Sequence, residues 1–318
     1  MTSRPRDVSR WRPRSHRSIE EFLSRPQPAG AHEIRIGDLY LDLLIEFRRA
    51  DTTLVVFHGA LSSSHTVLPV FQGRGAASAA GVNLISLSDP SLQMGDVDVG
   101  WFIGNRTTGR LPPLLTPVIT HALRSLGGSQ TILMGGSGGG YAALSYAANF
   151  SGATVLLLNP RLNLSTSPFA KVDQYLRVCH KAMSATPRGR IRKAFVVDDL
   201  SAELPRPLPF DLMIMQNLGD SEFLNHQVRP FVEVFGDDPR LFLRCGAWGE
   251  GHRAVPAPIV QDVIWRLAAW GTAEQNIARA GFVATSKWHS EGRPSALASF
   301  SSLYASLKST RPKLENRQ

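Results

Sequence analysis

Residues 131–144 read Thr-Ile-Leu-Met-Gly-Gly-Ser-Gly-Gly-Gly-Tyr-Ala-Ala-Leu, and this stretch decides the fold. A short apolar run breaks into glycines, presents Ser137, and continues at once as a helix-forming sequence. This pattern predicts a strand, a sharp turn and a helix. Residues 135–139 fit the pattern G-x-S-x-G, in which small residues flank the serine because the turn leaves little room for side chains. We therefore expect Ser137 to lie at a strained turn, exposed for nucleophilic attack.

Two other glycine-rich motifs are excluded by the residues around Ser137. A P-loop ends in Gly-Lys-Ser or Gly-Lys-Thr, and no lysine lies near this stretch. A dinucleotide-binding fingerprint through Gly138, Gly140 and Ala143 would begin after the turn, and it lacks the acidic residue expected about twenty residues later. Neither kind of phosphate-binding site is therefore predicted.

The strand, turn and helix around Ser137 resemble the nucleophile elbow of the α/β-hydrolase superfamily. Apolar strand-like runs alternate with helical segments along the chain, which is typical of an α/β fold. The runs that indicate buried strands are residues 53–57, 82–87, 131–136, 153–158, 211–216 and 241–244. Helices are expected between them, among them 67–80 and 224–235. The resemblance implies a mostly parallel central sheet with helices on both faces.

The domain organisation follows from where this alternation begins, stops and resumes. Residues 1–30 are rich in arginine, serine and proline, and they predict a basic, flexible arm. Residues 31–272 are assigned to the α/β-hydrolase domain. Within it, 160–208 interrupts the strand and helix rhythm, and similar insertions serve as lids in the superfamily. Residues 273–318 are expected to form an accessory tail, with a helix at 297–307.

Chain order identifies partners for Ser137, because the superfamily places the acid and then the histidine after the serine. Asp220 follows the strand 211–216, and His252 follows the strand 241–244 in a glycine-rich loop. Glu222 is the competing acid and His226 the competing base, although a histidine within a helix is more often a packing or surface residue. The sequence favours Ser137, Asp220 and His252 as the catalytic residues.

The resemblance also implies an oxyanion hole built from backbone N–H groups. One donor is Gly138, at the start of the helix after Ser137. The other is Ala60, which follows a His-Gly pair after the strand 53–57, with Leu61 next in line. For His58 we favour a role in supporting this loop, and contact with substrate is the alternative.

Two aromatic residues stand in a loop where pockets usually form in α/β proteins. Trp101 and Phe102 follow the strand 82–87 within the irregular segment 91–109. Packing in the core is the ordinary role of such residues. Together with His58 and Leu61, they are the candidates for contact with substrate.

Composition narrows the remaining functional classes. The net charge of +9 comes mainly from arginines spread along the chain, and no zinc-ligand spacing or aromatic RNA-binding motif accompanies them, so nucleic-acid binding is not expected. No stretch is long and apolar enough to predict a membrane span or a secretion signal. The two cysteines suit a reducing compartment, which favours a cytoplasmic location, although a single disulfide between them stays possible on sequence alone.

These observations predict a serine hydrolase that cleaves a carboxylic ester of a small molecule or a glycan, without a metal or an organic cofactor. Ser137 would attack the carbonyl, His252 would move the proton, and Asp220 would orient His252. Two alternatives stay open. One is an O-acyltransferase or deacylase that acts on a glycan, because the elbow is similar to that of hydrolase-like proteins linked to bacterial surface polysaccharides. The other is a hydrolase-fold protein that binds a partner without turnover.

Overall fold

A computed structural model describes residues 4–61, 66–166 and 169–285. The strands in these ranges are β1 (Arg14–His16), β2 (Gly30–Ile36), β3 (Leu39–Glu46), β4 (Thr52–Phe57), β5 (Asn83–Ser88), β6 (Gly104–Asn105), β7 (Gly109–Arg110), β8 (Gln130–Gly136), β9 (Thr154–Leu158), β10 (Asp211–Asn217), β11 (Leu241–Gly246) and β12 (Val283–Ala284). The helices are α1 (Ile19–Leu23), α2 (Arg74–Ala80), α3 (Pro112–Leu126), α4 (Gly138–Ala147), α5 (Ala170–His180), α6 (Ala185–Phe195), α7 (Leu200–Glu203), α8 (Ser221–Phe223), α9 (Arg229–Phe235), α10 (Ala257–Trp270) and α11 (Glu274–Arg279).

Ten strands form one sheet in the order β1-β2-β3-β5-β4-β8-β9-β10-β11-β12. The six strands from β5 to β11 in this order are parallel to one another. Antiparallel pairs occur only towards the edges, where β3 joins β2 and β5, and β12 joins β11. All six residues of β4 are buried, which agrees with its unbroken apolar and β-branched sequence. The predicted mostly parallel sheet is confirmed.

Helices cover both faces of this sheet, as expected. One core cluster joins the sheet to α1, α3, α4, α5 and α9. A second cluster, on the opposite face, joins it to α2, α10 and α11. A fully buried aliphatic side chain contributes about 1.5–3 kcal/mol, so burial on both faces holds the strand ends in fixed relative positions.

Two predicted helices differ from the observed ones. The helix expected over 67–80 begins only at Arg74, because Gly73 adopts a left-handed conformation (φ 86°) that a continuing helix does not allow. The helix expected over 224–235 is divided into a π-helical segment, Leu224–Val228, and α9. The helix expected at 297–307 lies outside the described residues.

Residues 4–30 lie against the sheet, where the sequence predicted a flexible arm over 1–30. Strand β1 pairs in parallel with β2. The guanidinium of Arg6 lies 2.6 Å from carboxylate oxygens of both Glu33 and Asp42. Arg4 is 3% exposed and donates to the carbonyl of Val97. The sequence did not reveal this packing because the carboxylates and carbonyls that bind these arginines are distant in the chain.

Helices α5, α6 and α7 form the segment inserted between β9 and β10, near the predicted bounds 160–208. Helix α6 carries the basic run 188–193 and has no buried residue. Its Arg192 forms an ion pair with Asp198. A lid function for this segment stays a prediction.

Two further features concern the described part of the chain. None of its helices is both long enough and apolar enough to span a bilayer. Cys179 and Cys245 are both free thiols, so the disulfide left open by the sequence is not formed.

Candidate functional site

Ser137 lies at the sharp turn between β8 and α4, as the glycine pattern predicted. Its φ of 50° and ψ of −118° are strained for a residue with a side chain. The flanking glycines are required by space. A Cβ on Gly135 would lie 2.0 Å from the carbonyl oxygen of Gly139, and a Cβ on Gly139 would lie 2.2 Å from that of Phe57. The turn thus holds the serine at the carboxyl edge of the sheet. Strands β4, β10 and β11 also end at this edge, and the loops that follow them begin there.

His252 and Asp220 are in direct contact, although 32 residues separate them in the chain. The Nδ1 atom of His252 lies 2.5 Å from Oδ2 of Asp220. The carboxylate is buried, and its Oδ1 accepts the backbone N–H of Phe223 at 3.1 Å. The ring of Phe223 stacks on the imidazole with the ring centroids 3.9 Å apart. These contacts fix the orientation of the imidazole and leave Nε2 directed away from the acid.

The competing acid and base lie on the surface. Glu222 and His226 are both exposed, and neither makes a hydrogen bond to His252 among the described contacts. Their neighbours Phe223 and Gln227 face inward instead. The geometry therefore brings together the pair that the sequence favoured.

Ser137 and His252 line one pocket of about 300 Å³. The described contacts include no hydrogen bond between the two side chains, and Nε2 of His252 makes none. Catalytic hydrogen bonds are often long without substrate and shorten in the reacting complex. The apolar side chains of the pocket wall are those of Val56, Phe57, Met134, Leu158, Ala254 and Val255.

Of the two expected oxyanion donors, Gly138 follows Ser137 directly in the chain, and Ala60 follows Gly59, which packs on the elbow. Gly138 is the first residue of α4, so its N–H has no acceptor within the helix. Gly59 packs so closely on the elbow that a Cβ there would lie 2.8 Å from the carbonyl oxygen of Gly136. This contact brings Ala60 close to the serine. The N–H of Leu61 donates to the carbonyl of Asp98 at 2.9 Å, so of the two candidates Ala60 and Leu61 it is Ala60 that stays the expected donor.

His58 supports the loop that carries Ala60, which is the role favoured from the sequence. It is 2% exposed, its Nδ1 lies 2.8 Å from the carbonyl oxygen of Gly59, and its Nε2 accepts the N–H of Asp89 at 3.0 Å. Burial lowers the pKa of His58, which favours the neutral ring that these two hydrogen bonds require. Both nitrogens are occupied, so this side chain has no free nitrogen for a substrate. The side chain of Leu61 is also buried.

Trp101 and Phe102 are consecutive residues in left-handed conformations, with φ of 52° and 56°. The carboxylate of Asp89 accepts the N–H of Phe102 at 2.8 Å, and the ring of Phe102 packs on Phe57 and His58. Phe102 is therefore a packing residue of the His58 loop. Trp101 is also buried, but its indole lies against Gly138, beside the expected oxyanion position.

Two asparagines that hold the histidine loop were not identified from the sequence as supporting residues. Asn217 makes four side-chain hydrogen bonds, donating to the carbonyls of Gly249 and Gly251 and accepting the N–H groups of Gly219 and Trp248. It thereby joins the loop of Asp220 to the loop of His252.

Asn159 completes this arrangement from the end of β9. Its amide donates to the carbonyl of Arg253 at 2.7 Å, and its oxygen accepts the N–H of Asn217 at 2.6 Å. No role was assigned to Asn159 from the sequence. An asparagine at the end of each of two buried strands was the available signal.

Two features would add charge to the site: side chains that could hold a metal ion, and basic residues of helix α6. Within the described ranges, no three histidine, cysteine, aspartate or glutamate side chains converge so as to hold a metal ion. The basic helix α6 contributes no residue to the described lining of the pocket that contains Ser137 and His252.

Comparisons with known proteins concern the fold. No protein-family model matches the chain, and no curated protein matches its sequence. The structure is similar to the capsule O-acetyltransferase of Neisseria meningitidis serogroup A, with a TM-score of 0.53, 15% identity, and coverage of 71% of this chain and 89% of that chain. A mutant of that enzyme in complex with CoA gives a TM-score of 0.50, with 14% identity over 70% of this chain and 88% of that chain.

An esterase from Pyrococcus furiosus gives a TM-score of 0.48, with 14% identity over 88% of this chain and 98% of that chain. Identities at this level establish the architecture alone. The strand order, the helices on both faces and the elbow at Ser137 agree with that architecture. The chain has the α/β-hydrolase fold.

Proposed function

We propose that this protein is a serine hydrolase that cleaves a carboxylic ester through Ser137, His252 and Asp220. The observation that carries the proposal is the 2.5 Å contact between His252 and Asp220, beside a serine held in a strained elbow and sharing one pocket with the histidine. Such a carboxylate fixes the tautomer of the imidazole and stabilises its charged form. An arrangement of this kind serves acyl transfer.

In the acylation step, Oγ of Ser137 attacks the ester carbonyl carbon while Nε2 of His252 takes the hydroxyl proton. The carbonyl oxygen becomes an oxyanion that accepts the N–H groups of Gly138 and Ala60. When the oxyanion re-forms the carbonyl, the bond to the alcohol oxygen breaks, and His252 returns the proton to the departing alcohol. The product is an acyl-enzyme on Ser137.

In the deacylation step, water takes the place of the alcohol. His252 removes a proton from the water, the oxygen adds to the acyl carbon, and the bond to Ser137 breaks with return of the proton to its oxygen. The carboxylic acid leaves, and the resting serine is restored. In both steps the proton moves between His252, Ser137 and the alcohol or water, and the two N–H donors bind the oxyanion.

Transfer of the acyl group to a glycan hydroxyl is the second candidate. It uses the same acyl-enzyme and differs only in the acceptor of the second step. The capsule O-acetyltransferase with the same architecture supports this alternative at the level of fold. A cytoplasmic location and a substrate that is a small molecule or a glycan ester belong to both proposals.

Turnover of p-nitrophenyl esters tests the first proposal. We expect p-nitrophenol release by the wild type and loss of at least about 10³-fold in Ser137→Ala. A soluble oligosaccharide added to the assay distinguishes the second candidate, because acyl transfer yields an acylated sugar by mass spectrometry while hydrolysis yields only free acid. Equal turnover in the wild type and in Ser137→Ala would contradict both, and absence of turnover and of acyl transfer in the wild type would favour binding without catalysis.

A further inference from the structure

A cavity of about 180 Å³ lies along helix α4, separate from the pocket that contains Ser137 and His252. Tyr141, Ser145 and Ala148 line it. Their spacing of four and three residues places them in one stripe along the helix. Gly138 lies three residues before Tyr141 and begins the same stripe. The cavity therefore follows the helix face that starts at the expected oxyanion donor.

Trp101 stands between this cavity and the elbow. Its indole lines the cavity, and its Nε1 would lie 3.2 Å from a Cβ on Gly138. The residue is 3% exposed, and its ring packs edge-on against Tyr175 with the centroids 5.8 Å apart. The left-handed backbone at Trp101 is sparsely populated for a large residue, so the surrounding contacts are needed to hold it there.

The chemistry of ester cleavage decides which half of a substrate meets Trp101. His252 must give its proton to the departing alcohol, so the alcohol half has to lie on the side of Ser137 where His252 and its pocket are. The acyl half then extends to the other side. Val99 and Trp101 do not belong to the described lining of the pocket that contains Ser137 and His252, and both pack directly on Gly138; a Cβ on that glycine would lie 2.9 Å from Cγ2 of Val99.

We propose, on the basis of the proposed function, that Trp101 is a specificity-determining residue that restricts the acyl group to short chains. The indole closes the α4 cavity to an acyl chain attached to Ser137. A short acyl group ends before the indole, whereas a longer chain meets it. Removal of the indole joins the cavity to the site and gives a longer chain a space whose lining is mostly apolar, although Arg110 and Glu203 also contribute to it.

The test compares p-nitrophenyl acetate with p-nitrophenyl octanoate for the wild type and Trp101→Ala. Enzyme concentration is normalised to the fraction that reacts with a fluorophosphonate at Ser137, so unfolded protein does not enter the rates. We expect the wild type to prefer acetate, and the octanoate-to-acetate ratio of kcat/KM to rise at least about tenfold in Trp101→Ala, because several methylene groups become buried. Trp101→Leu tests the same change if the alanine variant does not fold.

Two control variants separate this effect from general loosening. Trp265→Ala removes an exposed tryptophan on α10 and should leave the ratio unchanged. Ser145→Leu in the Trp101→Ala background fills the cavity and should remove the gain for octanoate.

Three outcomes would overturn the inference. If the wild type and the Trp101 variants all react with the probe and have the same octanoate-to-acetate ratio of kcat/KM, the inference is wrong and the proposed function stands. The same holds if the gain for octanoate persists when Ser145→Leu fills the cavity. Absence of labelling at Ser137 in the wild type would overturn the proposed function and the inference together.

Discussion

The loops after β4 and β11 begin at the same edge of the sheet, and His58 in the first loop contrasts with His252 in the second. In the first loop, His58 is buried, and both ring nitrogens bond to backbone groups. In the second, the side chain of His252 is 39% exposed, with Nδ1 on a buried carboxylate and Nε2 free of described hydrogen bonds. A histidine with both nitrogens occupied shapes a loop, and one with a free nitrogen beside a serine can move a proton.

The largest effect is expected when the histidine of the second loop is replaced. His252→Gln keeps a polar side chain but cannot accept a proton from Ser137. We expect kcat for p-nitrophenyl acetate to fall at least about 10³-fold. Asp220→Asn should approach this loss, and the double variant should lose little more, because the side chains act as one unit. His226→Gln is the matched control on an exposed residue, and activity lost there instead would contradict the assignment.

The next largest effect is expected when Asn217, which supports the loop of His252, is replaced. Asn217→Ala removes four hydrogen bonds to backbone groups of the two loops. We expect kcat to fall by about 10- to 100-fold with a smaller change in KM, because a displaced imidazole still allows binding. Unpaired buried groups should also lower the free energy of unfolding by about 2–4 kcal/mol in denaturant titration. Asn225 is exposed, so Asn225→Ala should change neither kcat nor the free energy of unfolding. Equal effects from Asn225→Ala and Asn217→Ala would show that the hydrogen bonds of Asn217 have no special role.

Replacement of His58 in the first loop by glutamine should reduce activity less than His252→Gln does. The amide of His58→Gln can give an N–H to the carbonyl of Gly59 and accept one from Asp89, so Ala60 moves little. We expect kcat/KM to fall by about tenfold or less. A loss as large as that of His252→Gln would remove the distinction between the two histidines.

The sequence predicted the parts of this comparison that depend on local pattern. Buried strands and the elbow at Ser137 follow from short apolar runs and glycines, and the order of Ser137, Asp220 and His252 follows from the resemblance to the α/β-hydrolase superfamily applied to residues at strand ends. The supporting asparagines were not predicted, because their partners are backbone groups of loops distant in the chain. The packing of Arg6 onto Glu33 and Asp42 was missed for the same reason.

The buried imidazoles of His16 and His32 should make the stability of the fold depend on pH and should have no part in ester cleavage. His16 and His32 lie 3.1 Å apart between ring nitrogens, and burial lowers the pKa of His32 to about 4 and also lowers that of His16. Below the ordinary value near 6.5, the unfolded chain binds protons that the folded chain does not. The free energy of unfolding contributed by this pair should therefore fall as the pH falls from about 6.5 towards 4.

Comparison with His32→Gln isolates this contribution. The variant should lose less stability than the wild type between pH 6.5 and 4 in denaturant titrations. Its ester turnover at neutral pH should equal that of the wild type. Parallel stability profiles would contradict the buried, neutral state of His32.

Ser137 is expected to be an activated nucleophile, and its reaction with a fluorophosphonate measures that activation. An ordinary serine hydroxyl does not react, whereas one activated by a neighbouring imidazole does. We predict that one equivalent of the probe labels the wild type, that peptide mapping locates it on Ser137, and that His252→Gln slows labelling at least about 10²-fold. Labelling of another residue, or equal rates in the wild type and His252→Gln, would contradict the account.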